Sequence, residues 1–489
     1  MRLSRRARLA TTLLLTALAT RASAQPSISR EEFAARRAAL AARIDSGIVI
    51  AFGGRTPVTD FGPFFQLPGF HYLTDFDEPD ATLVLVVRNG HVEGPGTLFV
   101  TPAEPRSALY YGQRPDSAHA SAATGLVVRR PAALTPLLDS LCESGLPLYA
   151  LRDFADADFA TQDSLTRGGQ FVRALAARHP SLVVRDAHGI VDGLRAQKSA
   201  AEIALLKRAA AVSDEGHRAA MRAAAPGLHE YDLQAEAERA FLKGGAARPA
   251  YGSIVGAGAN GTQLHYMKNR GALKAGDLVV MDAAAEYEGY AADITRTIPV
   301  SGTFTPAQRA LYQLVRDAQT AAEKYAGPGK SSLAAAESSL AVRARGLAAL
   351  GLIDSANALF DPPWAANCAA APASCRQATL FTIHGISHGL GLAVHDPAQF
   401  YAGDRTYQPG DVFTIEPGIY VSTRLLDILP DTPRNRAFIA RVRPIVAKYE
   451  NTGVRIEDDY LVTPTGLERL TKAPREISEI EAIMARTKM

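Results

Sequence analysis

The rhythm of apolar positions changes near residue 195. Before it, short apolar runs alternate with helix-period stretches. Ile48–Ala51, Thr82–Val87, Leu98–Val100, Leu146–Ala150 and Leu182–Val184 read as strands, and Pro131–Glu143 and Asp163–Arg178 carry helical spacing. Asn89-Gly90, with a glycine-rich stretch behind it, predicts a hairpin with a long loop between the second and third runs. Strands interleaved with helices make this an α/β unit. Ser199 with Glu202 three residues on is a capping box. It opens a helix over 199–225 whose Ile203, Leu206 and Ala210 share one face and which Pro226-Gly227 closes. A second helix is expected over His229–Lys243, ended by Gly244-Gly245, and two more near 305–325 and 331–350. The rest of the second half is strand-rich.

Composition excludes several classes. The 489 residues are 47% hydrophobic and 21% charged, which rules against disorder, collagen-like sequence and coiled coil and suffices for two domains. Met1–Arg8 is basic, Leu9–Thr20 uncharged, and Ala22-Ser23-Ala24 has the small-x-small pattern, so residues 1–24 read as a secretory signal. Ser4-Arg5-Arg6 is a partial twin-arginine match, which leaves the export route open. The mature protein is expected to be exported, periplasmic or secreted, with no membrane insertion after signal cleavage, since no later apolar run is long enough to span a bilayer. Removing the five arginines of the leader takes the net charge from +3 to −2, so no electrostatic footprint for nucleic acid remains. Cys368 and Cys375 flank a Pro/Ala-rich stretch where a local disulfide can form, whereas a metal site there lacks further ligands. Cys142, in a Leu-rich helical stretch, is expected as a buried thiol.

The chemistry lies between 265 and 457. Two strand-like runs within Asp277–Val300 flank Glu286–Gly289. A turn centred between Tyr287 and Glu288 would set Asp282 opposite Asp293, with Cβ atoms roughly 5 Å apart. Carboxylates that close repel unless a proton or cation lies between them. His384, His388 and His395 fall within twelve residues, flanked by glycines in an apolar stretch. One such histidine is commonly structural, but three suggest ligand or proton-shuttle work. Their spacing fits neither HExxH nor HxxEH. Glu416 ends the run from Val412, and Glu457 follows Arg455 and Ile456. Four carboxylates and one imidazole favour hard or borderline ions, Mn2+ first and then Zn2+ or Co2+. They suit two divalent ions roughly 3.5 Å apart. Gly256-Ala-Gly258-Ala-Asn-Gly261 matches GxGxxG, but no helix or βαβ unit follows, so it is not read as a dinucleotide site.

Five ordered blocks, NGTQLHY (260–266), MDAAAEYEGYAADITRT (281–297), HGISHGLGLAVHD (384–396), FTIEPGIY (413–420) and GVRIEDD (453–459), resemble the pita-bread metallopeptidases, in their aminopeptidase P and prolidase branch. QKSAAEIALLKRAA (197–210) resembles the family's entry to its catalytic domain, and FHYLTDFDEPDATLVLV (70–86) its N-terminal domain. The resemblance implies a creatinase-like α/β N-terminal domain over 25–195 and an α+β pita-bread catalytic domain over 196–489. It implies that Asp282, Asp293, His388, Glu416 and Glu457 ligate a dinuclear centre. His265, His384 and His395 would contact substrate and stabilise the transition state, with His395 supporting the developing oxyanion. Arg455 would orient the ligands, and Glu416 would act as general base. The implied activity is that of a metal-dependent Xaa-Pro aminopeptidase acting on peptides with proline in the second position, in a homo-oligomer. The alternatives are a prolidase, which cleaves only dipeptides, and a metal-free creatinase-like or binding protein on the same fold. The chain departs from the family pattern at Gly389 and Ala393, and residues 361–378 and 421–450 resemble insertions.

Overall fold

A computed structural model describes residues 26–57, 63–102, 104–151, 166–398, 400 and 404–485; the leader and the start of the helix expected from Asp163 lie outside them. The first half is one mixed sheet of β1 (Gly47–Phe52), β2 (Thr82–Arg88), β3 (His91–Val92), β4 (Thr97–Phe99), β5 (Val127–Arg129), β6 (Leu148–Leu151) and β7 (Val184–Asp186), in the order β5-β4-β2-β1-β6-β7 with β3 also beside β2. β1 is buried along its whole length because both sheet faces are covered. Ile48 and Ile50 pack against Leu138 and Leu175 of the helices Leu134–Cys142 and Arg167–Arg178, with Cys142 buried in the same cluster. Val49 and Ala51 face Leu73 and Leu206 on the other side.

The hairpin expected between the second and third runs forms: β2 pairs antiparallel with β4, Thr82 opposite Phe99, across a long connection. Within that connection Asn89 and Gly90 take positive φ, 50° and 77°, and close a two-residue turn in which Arg88 pairs with His91. One local expectation needs correction. The strand expected at Leu182–Val184 forms two residues later, while Leu182 packs into the core from outside it.

The second half opens with the helix Ala200–Ala223, whose capping box forms in full: Ser199 Oγ accepts from the Glu202 N–H and Glu202 accepts from the Ser199 N–H. Helices Glu230–Lys243, Pro306–Tyr325 and Ser332–Ala349 follow. They surround short antiparallel sheets made of β8 (Arg248–Pro249), β9 (Ile254–Ala257), β10 (Leu278–Asp282), β11 (Ala285–Tyr287), β12 (Tyr290–Ala291), β13 (Thr295–Pro299), β14 (Val412–Ile415), β15 (Gly418–Val421), β16 (Thr452–Arg455), β17 (Asp458–Thr463) and β18 (Gly466–Arg469). The GxGxxG segment is a strand followed by the 3-10 turn Gly258–Thr262, with no α-helix behind it. Among the described residues no helix is long and apolar enough to cross a membrane.

The two halves share an apolar cluster that joins Phe70 and Leu73 to Leu206, Tyr290 and Leu390. Arg36 stacks on Tyr72, 4.3 Å from the ring centre, and lies 3.5 Å from Glu202, which accepts from the Tyr290 hydroxyl. The insertion-like segments pack on each other: Asp361 accepts from Thr432 and Arg434, and its N–H donates to Asn435. Cys368 and Cys375 are joined by a disulfide.

Behind β13 and β17, Arg296 and Asp458 form an ion pair at 2.6 Å with no accessible side-chain surface on either. Arg296 also donates to the carbonyls of Glu457, Ala473 and Pro474, so it ties the C-terminal strands to the central hairpin. Removing one member of such a pair strands a buried charge, so Arg296→Met should lower unfolding stability by about 3–5 kcal/mol. A loss below about 1 kcal/mol in denaturant titration would contradict that role.

Candidate metal centre

Four acids lie where β-ladders break. Asp282 ends β10, Asp293 falls between β12 and β13, Glu416 between β14 and β15, and Glu457 between β16 and β17. At a break the backbone bends, and a side chain that would have paired along a flat ladder turns inward. Pro417 makes the β14 break chemically, since it has no N–H to donate. Gly418 makes it sterically, since a Cβ there would lie 2.6 Å from the Tyr420 hydroxyl and 2.7 Å from His384 Nε2.

The register of the Asp hairpin differs from the expectation. The turn residues are Glu288 and Gly289, with φ of 48° and 80°, and Tyr287 pairs with Tyr290. Asp282 therefore pairs with Thr295, not Asp293. Gly289 supplies the left-handed conformation of a two-residue turn, and this moves the register by two from a turn centred on Tyr287-Glu288. Because the shift is even, both aspartates keep the same face. The Tyr251 hydroxyl lies 2.5 Å from Asp282 Oδ1 and 2.5 Å from Asp293 Oδ1. A phenol has one proton and cannot satisfy two ionised carboxylates at once, so the pair calls for further positive charge.

His388 Nε2 faces the acids, at 3.5 Å from Asp293, 3.4 Å from Glu416 and 3.9 Å from Glu457. Its Nδ1 bonds the Gly389 carbonyl at 3.1 Å, which leaves Nε2 turned to the acids. Asp293, His388 and Glu457 each offer a ligand atom within 4.8 Å of the others, a spacing one ion can bridge. Thr295 Oγ1 donates to Glu457 Oε2 at 2.6 Å. Arg455 donates to Asp282 Oδ2 at 2.6 Å and to the Tyr420 hydroxyl at 2.7 Å. With Arg455 donating to it, the Tyr420 hydroxyl turns its own proton to His384 Nε2, 2.9 Å away. The His384 proton then sits on Nδ1, 3.5 Å from Glu416 Oε2. His395 is exposed, its ring 4.2 Å from that of His388. His265 is exposed on the loop after Gly258–Thr262, near enough that its charge disfavours protonation of His384.

The electrostatics fit a cation-binding pocket. Burial first, and then Asp282 nearby, push the Asp293 carboxyl up. Burial with repulsion from Asp293 and Glu416 pushes Glu457 far up, and burial lifts Glu416 to about 7. Burial opposes charge on His388, yet the acids around it raise its pKa to about 9. An imidazole held charged by its neighbours marks a cluster short of positive charge. His384, by contrast, is pushed down to about 3 by burial and by Arg455 and Arg343, and is a neutral donor.

Tyr251, Tyr420 and Thr295 are site residues that sequence reasoning missed. Tyr420 and Thr295 lie inside motif blocks, but a tyrosine or threonine there carries no signal of its own. Tyr251 lies in no motif and meets the aspartates only through the fold.

Asp293→Asn should change the ion-free protein in a defined direction. A raised folded pKa means that the ionised carboxylate costs stability at neutral pH, so the amide should leave the ion-free protein as stable as wild type or more so. The added thermal stability on titrating Mn2+ should shrink. An unchanged Mn2+ shift would remove Asp293 from the binding set.

Comparison with known proteins identifies the family. Residues 204–464 match Metallopeptidase family M24, and residues 33–144 match Aminopeptidase P, N-terminal domain. A protein of Escherichia coli named Xaa-Pro aminopeptidase is 34% identical over 94% of this chain and 98% of its own length. Proline aminopeptidase P II from Yersinia pestis superposes with a TM-score of 0.78 at 32% identity, over 94% of this chain and 100% of that one. The aminopeptidase PepP of Pseudomonas aeruginosa superposes at 0.77 with 34% identity, over 95% and 99%. With both family regions in order along one chain, this protein belongs to metallopeptidase family M24, the pita-bread metallopeptidases, in their aminopeptidase P and prolidase branch.

Proposed function

We propose that the protein is an exported Xaa-Pro aminopeptidase that holds two divalent cations, Mn2+ by preference, on Asp282, Asp293, His388, Glu416 and Glu457. One observation carries the reading: three acids from three separate ladder breaks converge on the His388 imidazole, and a fourth, Asp282, is joined to them through the Tyr251 hydroxyl, beside histidines that stand outside the acid set. The relatives named Xaa-Pro aminopeptidase in Escherichia coli and Haemophilus influenzae, 34% and 33% identical, support the substrate class, a peptide with proline in second position. The leader pattern and the Cys368–Cys375 disulfide support export, since disulfides persist in oxidising compartments. The proposal extends to a homo-oligomer, as the resemblance implies.

When bound, divalent cations in this pocket supply Lewis-acid polarisation of the scissile carbonyl and lower the pKa of the attacking water. The protein's own groups divide the rest. Thr295 and Arg455 hold Glu457 and Asp282 in orientation. Glu416, with 15% of its side chain accessible and His384 Nδ1 turned to it, takes the proton as water adds to the carbonyl carbon. It returns that proton to the proline nitrogen as the Xaa–Pro C–N bond breaks. His395 donates to the carbonyl oxygen as charge develops there.

Arg455 bears on peptide length. A dipeptidase must bind the carboxylate directly after proline, usually by a charge-assisted bond. Arg455 is engaged by Asp282, Tyr420 and Thr295 and is not available for it. Xaa-Pro-Yaa peptides should therefore be cleaved at the Xaa–Pro bond with higher kcat/KM than the matching dipeptides, and N-terminal acetylation should abolish cleavage. Strict dipeptide activity would make the protein a prolidase, and cleavage of the acetylated peptide would exclude both readings.

His395→Ala should lower kcat by roughly 100-fold with bound metal unchanged. Loss of metal along with activity would make His395 a ligand instead.

A further inference from the structure

Asp396 follows His395 directly, yet the two side chains lie in opposite surroundings. His395 is exposed, whereas 1% of the Asp396 side chain is accessible. Both Asp396 oxygens are gripped. Arg195 donates to Oδ1, the Ala393 N–H adds a bond to Oδ1 at 3.1 Å, and Lys198 Nζ donates to Oδ2 at 2.8 Å. Lys198 is as buried as Asp396 and also donates to the Arg195 carbonyl at 2.8 Å. Asp192, 3.5 Å from Arg195, completes two cations and two carboxylates. Although burial opposes ionisation, Arg195 and Lys198 hold the Asp396 carboxyl below its usual range.

The backbone closes on the same residue. The Asp396 N–H donates to the Gly389 carbonyl at 2.9 Å, and the Ala291 N–H donates to the Gly391 carbonyl at 2.8 Å, which joins the loop to the hairpin between Asp282 and Asp293. A Cβ at Gly391 would collide with the Asp396 carboxylate and lie 2.8 Å from Lys198 Cε; one at Gly389 would collide with the Asp396 carbonyl. Glycine at these two positions is what lets the clamp close. The cations come from the end of the helix His188–Arg195 and the turn after it, where the first half of the chain passes into the second.

Apolar packing could bury this loop as well as an ion pair, because desolvating charges offsets most of their attraction. What directional bonds add is a single register for the backbone, and the residue next to the clamp is His395. We propose that Asp396, clamped by Arg195 and Lys198, is a positioning residue for His395: it fixes the backbone from which the exposed imidazole reaches the reacting carbonyl, so the connection between the two halves sets the geometry of the reaction. This rests on the role given to His395 above.

The test is a double-mutant cycle on the Mn2+-loaded enzyme. Asp396→Asn keeps the shape but removes the charge. In the wild-type background it should lower kcat by about tenfold or more while KM moves less than about threefold and metal content holds, since displacing a catalytic group by about 1 Å is this costly. In the His395→Ala background the same substitution should cost less than about twofold, because a residue that acts only through His395 has nothing left to position. Gly391→Ala removes no charge but presses a methyl on the Asp396 carboxylate and the Lys198 stem, which displaces the clamp, and it should show the same dependence on background. Lys198→Arg should retain more kcat than Lys198→Met. Equal losses from Asp396→Asn and Gly391→Ala in the two backgrounds would overturn the clamp's role. His395→Ala with wild-type kcat would instead overturn the catalytic role on which it rests.

Discussion

Mutual repulsion among buried carboxylates is the constraint from which the rest of the catalytic half follows. At about 4 Å and an effective dielectric near 20, two like charges cost about 4 kcal/mol. Asp293, Glu416 and Glu457 crowd around His388, Asp282 is bridged to Asp293 by Tyr251, and Asp458 and Asp459 stand directly beside Glu457 in the chain. The outer acids are met by the protein's own cations: Asp458 by Arg296 and Arg475, and Asp282 by Arg455. The inner faces of the cluster turn to His388, whose pKa the surrounding acids raise. Such an arrangement is stable as a container for positive charge and costly as anything else, which is why the family's metal chemistry fits these residues.

Short, interrupted strands are how the chain delivers four acids to one point. An unbroken ladder would hold its side chains at fixed spacing on two faces, and no straight hairpin could aim acids from four segments inward. Two of these breaks have local causes. Pro417 removes a donor, Gly418 admits Tyr420 and His384 against the backbone, and Ala283, Ala284 and Ala292 let the central hairpin bend in a fully buried setting. Long-range bonds then hold the fragments together. Thr295 ties the hairpin to Glu457, Arg455 ties Asp282 to Tyr420, and the Ile456 and Glu457 N–H groups bond the carbonyls of Pro417 and Thr295.

The first half of the chain is more than a companion domain. Its apolar face continues into the catalytic core through Leu73, Leu206 and Tyr290, and Arg36 reaches across to Glu202. Arg195 and Lys198 extend this coupling to the loop of His388 and His395. On the opposite flank, the segment that carries the Cys368–Cys375 disulfide runs through Ala378–Phe381 into His384. The histidines around the acids are thus reached from two sides by elements outside the strands that bear the acids.

Residue type and local spacing by themselves determined much of this protein. The capping box at Ser199, the strand runs around Val49 and Leu83, and the grouping of Asp282, Asp293, His388, Glu416 and Glu457 are legible because helix caps, short continuous apolar runs and ligand-type residues leave local marks. The register of the central hairpin was beyond that reach: Glu288-Gly289 and Tyr287-Glu288 are both acceptable turns by composition, and only the closed ladder selects between them. Tyr251 beside the two aspartates, the Tyr420 link between Arg455 and His384, and the Lys198 grip on Asp396 join residues 31 to 198 positions apart. A bond across such a distance exists only once the chain has folded, since nothing in either residue's neighbourhood specifies its partner. Residue identity therefore decided which chemistry is available, and tertiary structure decided where each proton and charge sits.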